Sequence, residues 1–165
     1  MKSVASSLLL VLSPLAFGQQ VHSLQDSEYQ LGSHIRPVIA ESAMYPLNKR
    51  YEDFSLAERA TVRAIYENMP EGDEPPFPRD GLKSFIYDLH SAAGKRQASG
   101  ILSLLATVAA TGEVEKVEIF ASPDEQFSRY AAVKLGQLPF KPAICGGVAC
   151  KMQFMYRVKY ELRHR

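Results

Sequence analysis

The chain is poor in the residues that metal sites and covalent catalysts are built from. It has two cysteines and four histidines in 165 residues. His22, His34, His90 and His164 show no His-x-x-x-His spacing, so the usual helical metal motif is absent. There is no Gly-x-Ser-x-Gly turn to carry a nucleophilic serine. Glu71, Asp73 and Glu74 cluster, but without the spacing of a calcium loop, and read as a solvated acidic stretch. No metal, no cofactor and no enzymatic activity is expected. Charge of one sign is also missing, since the formal net charge is +1. Nucleic acid and anionic lipid are captured through basic excess, so neither is an expected partner. The tail is locally basic (Arg157, Lys159, Arg163, His164, Arg165) and reads as a solvated strand face. There is no internal repeat, and no apolar run reaches the roughly 20 residues that span a bilayer.

The N-terminus does have a short apolar stretch. Lys2 precedes Val4 to Leu12, Pro14 breaks the run, and Ala16-Phe17-Gly18 has the small-x-small form of a cleavage site. Residues 1–18 are expected to be a secretory signal cut between Gly18 and Gln19, leaving 147 residues, a length that suits one domain. An uncleaved anchor is the weaker reading, because Ser6, Ser7, Ser13 and Pro14 interrupt the run. No lipid-anchoring cysteine follows it, and no twin-arginine pair occurs. No integral membrane span is expected after cleavage.

Export changes how Cys145 and Cys150 are read. In an oxidising compartment a disulfide is the default. The pair brackets Gly146-Gly147-Val148-Ala149, a turn that cysteines facing each other across a hairpin can staple. A redox-active pair favours C-x-x-C at a helix N-terminus, and zinc needs more ligands than one pair supplies.

Residues 19–54 carry no sustained period and read as weakly structured. The domain is expected over 55–165. Ser55-x-x-Glu58 is a capping box, and Leu56, Ala60, Val62, Ile65, Tyr66 and Met69 broadly follow helical spacing up to Pro70. Pro75, Pro76 and Pro78 around Phe77 force an extended link. Asp80 is an expected N-cap for a helix over 80–93, whose apolar face is Leu82, Phe85, Ile86, Leu89 and Ala93, with Gly94 at its end. Residues 101–110 and 114–121 read as a hairpin through Thr111-Gly112. Ser122-Pro123-Asp124-Glu125 is a helix start with Ser122 as cap, opening a helix over 123–135. Over 152–162 the alternation is strict. Met152, Phe154, Tyr156, Val158, Tyr160 and Leu162 form a core face, and Gln153, Met155, Arg157, Lys159, Glu161 and Arg163 a wet one. The expected fold class is α+β: a three-stranded antiparallel sheet packed against two helices, with an additional N-terminal helix.

This order resembles the C-terminal domain of TonB, the periplasmic energy transducer of Gram-negative envelopes. The resemblance rests on Phe77-Pro78 before a helix, on Gly112-x-Val114-x-x-Val117, and on Ser122 with Ala131-Ala132. It continues in Phe140-x-Pro142-Ala143 and Gly147-Val148. It runs from about Pro75 to the C-terminus. The transducer's transmembrane anchor and long Pro-rich arm have no counterpart here, so the chain resembles a soluble relative in the periplasm. The family binds a short segment of outer-membrane receptors by pairing it with a sheet edge. The resemblance therefore implies a protein-binding module whose partner is an envelope or outer-membrane protein. Its expected docking line is the terminal strand (Gln153, Met155, Arg157, Val158, Lys159), and Phe77 and Pro78 are a second candidate docking segment. The alternative is a structural, self-associating envelope protein, a homodimer through the same edge.

Overall fold

The computed structural model describes residues 45–46 and 48–161. Gly18 and Gln19, the expected signal and Leu162 to Arg165 lie outside the described residues. The fold is mixed α+β, with three helices and antiparallel sheets.

After a 3-10 turn at Tyr51–Asp53 comes α1 (Leu56–Arg63). Its start is the capping box: the Ser55 amide donates to Glu58 Oε2 at 2.7 Å, and the Glu58 amide donates to Ser55 Oγ at 3.3 Å. The helix stops at Arg63, not at Pro70. The Arg63 guanidinium donates to the carbonyls of Asp73, Met69 and Pro70, which holds the following chain folded back. Asn68 there has a left-handed backbone, φ 53°. Ile65 and Tyr66 are consequently buried from a turn, whereas Leu56 is 88 % exposed. Only Val62 of α1 is buried.

The proline-rich link forms β1 (Phe77–Pro78), and α2 (Lys83–Arg96) follows. Asp80 does not cap α2. The chain turns through Gly81, whose amide bonds the Pro78 carbonyl, and Leu82 occupies the N-cap position. The helix also runs through Gly94 and ends at Gln97, which takes the left-handed cap conformation itself. Its buried face, Phe85, Leu89 and Ala93, is the one the sequence pattern indicates.

Next come β2 (Gly100–Val108), β3 (Val114–Ala121), α3 (Glu125–Gly136) and β4 (Phe140–Lys141). The chain ends in a hairpin of β5 (Ala143–Cys145) and β6 (Val148–Cys150), then β7 (Met152–Tyr160). The main sheet has the order β3-β2-β7, all antiparallel, and β4 pairs with β1. β2 contributes to a core cluster on each face of the sheet, which is why it reads as an unbroken apolar run. Leu102, Leu104, Ala106 and Val108 face the main core, while Ser103 and Leu105 are buried on the other side.

Two register shifts interrupt the β2–β3 ladder. One sets Thr107 opposite Lys116 and Val108 opposite Val114, leaving Glu115 as the extra residue. This bulge explains the Val114-x-x-Val117 spacing. Three residues apart, two side chains in a regular strand point to opposite faces. The extra residue brings both valines to the main core. α3 begins two residues later than Ser122 and Pro123 suggest. Its cap is Asp124, whose Oδ1 accepts from the Phe127 amide at 2.7 Å, and Ser122 Oγ instead bonds Ser128 Oγ at 2.8 Å.

The core reaches upstream of Ser55. Tyr51 and Phe54 are buried with Phe77, Phe140 and Phe154, and Tyr45 packs against the same group. No helix among the described residues is long and apolar enough to cross a membrane.

Candidate functional site

Among the described residues β7, nine residues long, lies at one end of the sheet order, paired with β2 along its whole length. The ladder fixes which of its backbone groups face β2. In an antiparallel pair, alternate residues direct both N–H and C=O at the neighbour, and the residues between direct both away. The Ala109 amide donates to the Glu113 carbonyl, so the odd-numbered groups of β2 point toward β3 and the even-numbered ones toward β7. Even residues of β2 stand opposite even residues of β7, such as Leu102 opposite Val158 and Ala106 opposite Phe154. In β7, residues 153, 155, 157 and 159 therefore turn their backbone groups to the outer edge.

Val158 separates from the other expected edge residues on this ground. Its backbone shares the parity that bonds β2, and its side chain packs on the main core. Met155 departs in another way. Its backbone points outward, but it is 4 % exposed, because Ile65 and Tyr66 cover the sheet's second face where Met155 lies beside Leu105. The expectation of a uniformly wet face therefore fails at Met155. The alternation gave no sign that a turn after α1 would lie over it.

Two carbonyls of the edge hold tyrosine hydroxyls. Tyr45 donates to Met155 O at 2.6 Å and Tyr66 to Gln153 O at 2.9 Å. Burial pushes both phenols well above their usual pKa, so each stays a neutral donor. The sequence pattern gave no signal for either contact, since they join residues 110 and 87 positions apart.

Phe77 and Pro78 do not present themselves to a partner. Phe77 is fully buried, ringed by Tyr45, Tyr51, Phe54 and Phe154 at centroid distances of 5.0 to 6.3 Å. Pro78 is buried opposite Phe140. The segment is an internal strand of the aromatic core.

Cys145 and Cys150 are joined by a disulfide, with Cα atoms 5.8 Å apart. They staple β5 to β6 around Gly146 and Gly147, both at positive φ (56° and 85°), as a two-residue hairpin loop needs. The acidic loop holds this hairpin in place. Asp73 Oδ1 accepts from the Gly146 amide at 2.8 Å, and Glu74 and Ile144 exchange backbone hydrogen bonds of 2.9 Å. Glu74 also pairs with Arg59 at 3.3 Å and Lys141 at 2.8 Å, and both cations lie over the Tyr51 ring. These carboxylates are thus committed to structure. Among the described residues no group of three His, Cys, Asp or Glu could hold a metal ion. A shallow groove of about 520 Å³ lies between α2 and α3, lined by Tyr87, Lys95, Gln126 and Tyr130 among others. Arg96 and Lys134 at its flanks are paired with Asp124 and Asp88.

Set against the models of known protein families the chain matches none, and no curated protein matches it.

Proposed function

We propose that this chain is a non-enzymatic, periplasmic protein-binding module of the TonB C-terminal type. In this proposal it is exported by cleavage between Gly18 and Gln19. It takes an extended peptide of an envelope or outer-membrane protein by strand addition along the outer edge of β7. The observation that carries the proposal is the position of β7. Among the described residues it is a long antiparallel strand at the end of its sheet, with the groups of alternate residues directed away from β2. Main-chain hydrogen bonds to such an edge supply affinity, and alternate side chains supply selectivity. The order of elements supports the family likeness: helix, bulged hairpin, capped helix, Phe140-x-Pro142-Ala143 link, glycine turn, terminal strand. The buried Ala131 and Ala132 and the bulge behind Val114 and Val117 give those motif residues physical reasons.

The test compares the mature chain with Gln153→Pro as baits for detergent-solubilised envelope. Proline removes an edge-directed N–H near the start of a strand, where it is best tolerated. Circular dichroism checks that the variant is folded. Strand addition predicts that an outer-membrane protein is recovered by the wild-type chain and lost from the folded variant. Equal recovery by both overturns it. Recovery of the chain's own copies alone transfers the edge to the self-associating, structural role.

A further inference from the structure

We propose that the Cys145–Cys150 disulfide is a redox-sensitive switch: opened by a dithiol reductant, it releases the loop over residues 70–73 from the domain. The proposal stands independently of the strand-addition reading.

The disulfide closes a hairpin of two three-residue strands, a unit that is marginal by itself. Asp73 links that hairpin to α1. Its carboxylate accepts from the Gly146 amide at 2.8 Å, and its carbonyl accepts from the Arg63 guanidinium. Asp73 is 9 % exposed, and among the described residues the Gly146 amide is the one donor to its carboxylate. The neighbouring Pro70, Glu71 and Gly72 are exposed, so Asp73 is the point at which the loop is pinned. A buried carboxylate without a donor is costly, and the cost is relieved by turning to water. Opening the turn at Gly146 therefore ejects Asp73, and the loop goes with it. Glu74 keeps its ion pairs with Arg59 and Lys141, which confines the release to the residues before it. The bond is within reach of a reductant: both cysteines are half-buried, and the four residues between them are exposed. In the exchange a thiolate of the reductant attacks one cysteine sulfur and expels the other as a thiolate. The reductant's second thiol then displaces the mixed disulfide. The protein gains two electrons and two protons as two thiols, and the reductant leaves as a disulfide.

Site-resolved hydrogen exchange compares the oxidised chain, the chain reduced with dithiothreitol, and the double variant Cys145→Ser, Cys150→Ser, which needs no reductant. The reporter is the Asp73 amide, which donates to the Pro70 carbonyl and not to the hairpin. Its exchange is expected to rise about fivefold or more in both the reduced chain and the double variant, with β2 still protected. Coupling of this kind is reciprocal, so undocking the loop must ease reduction by the same factor. In buffers of reduced and oxidised dithiothreitol, Asp73→Ala is therefore expected to lower the ratio needed for half-reduction about fivefold or more. Asp73→Asn keeps the oxygen and drops the charge. It is expected to shift the ratio in the same direction by less, and it carries the test should Asp73→Ala lose the protection of β2. Faster exchange in residues 143–150 with an unchanged Asp73 amide overturns the switch. So does an unchanged half-reduction ratio in the folded Asp73 variant, and so does loss of β2 protection on reduction, which would make the bond a support of the whole fold.

Discussion

Gly112 shows how much one residue decides. It turns the β2–β3 hairpin at φ +88°, its amide bonds the Ala109 carbonyl, and its own carbonyl accepts from the Phe140 amide. A Cβ built there would lie 2.3 Å from the Phe140 carbonyl oxygen. Gly112→Ala is therefore strained in backbone and blocked by backbone, and is expected to cost about 2 kcal/mol or more. Urea denaturation checks this, and an unchanged midpoint would contradict it. Tyr160 points the other way. Its hydroxyl is buried and finds no hydrogen-bond partner of good geometry among the described residues, although it lies near Tyr156. Replacing a poorly satisfied buried polar group by an isosteric apolar one is close to neutral or stabilising. Tyr160→Phe is thus expected to leave the midpoint unchanged or raise it. A fall of more than about 1 kcal/mol would mean that the hydroxyl is well bonded.

At the scale of the element, α1 is held by its cap, because it is two turns long and buries one side chain. Hydrogen bonds from Lys49 and Ser55 lower the Glu58 pKa from 4.5 to about 2. A depressed carboxylate contributes stability that is present above its unfolded pKa and lost as pH falls through the folded one. The pH dependence of stability between about 4.5 and 2 should therefore be shallower in Glu58→Gln than in wild type. Parallel curves across that window would remove Glu58 from the account of acid unfolding. The β5–β6 hairpin is the second such element. Two strands alone are marginal in water. Here the disulfide, the Asp73 carboxylate and the Glu74–Ile144 bridge hold them. Reduction is expected to raise amide exchange in residues 143–150 while leaving β2 protected, which hydrogen-exchange mass spectrometry resolves.

Elements of this kind were also the legible part of the sequence. The box at Ser55, the bounds of β3, the face of α2 and the alternation of β7 follow from local rules. Local pattern misled where a distant contact overrode it. Arg63 ends α1 by binding carbonyls up to ten residues on, and Met155 is buried by a turn 90 residues away. Phe77 is core because three other segments bring rings to it.

For the whole molecule, the sheet is sealed on one face by α2, α3 and the aromatic group, and partly on the other by the turn after α1. The proposed strand addition would use the outer edge of β7, whose backbone groups alternate in direction along the strand. The central claim is that the captured partner pairs with this edge. Site-resolved hydrogen exchange on the complex tests it most directly. Strand addition predicts that the amides of Gln153 and Met155 gain protection, while those of Phe154 and Tyr156, already directed at β2, do not change. Protection that appears in the α2–α3 groove, with Gln153 and Met155 unaffected, would contradict it.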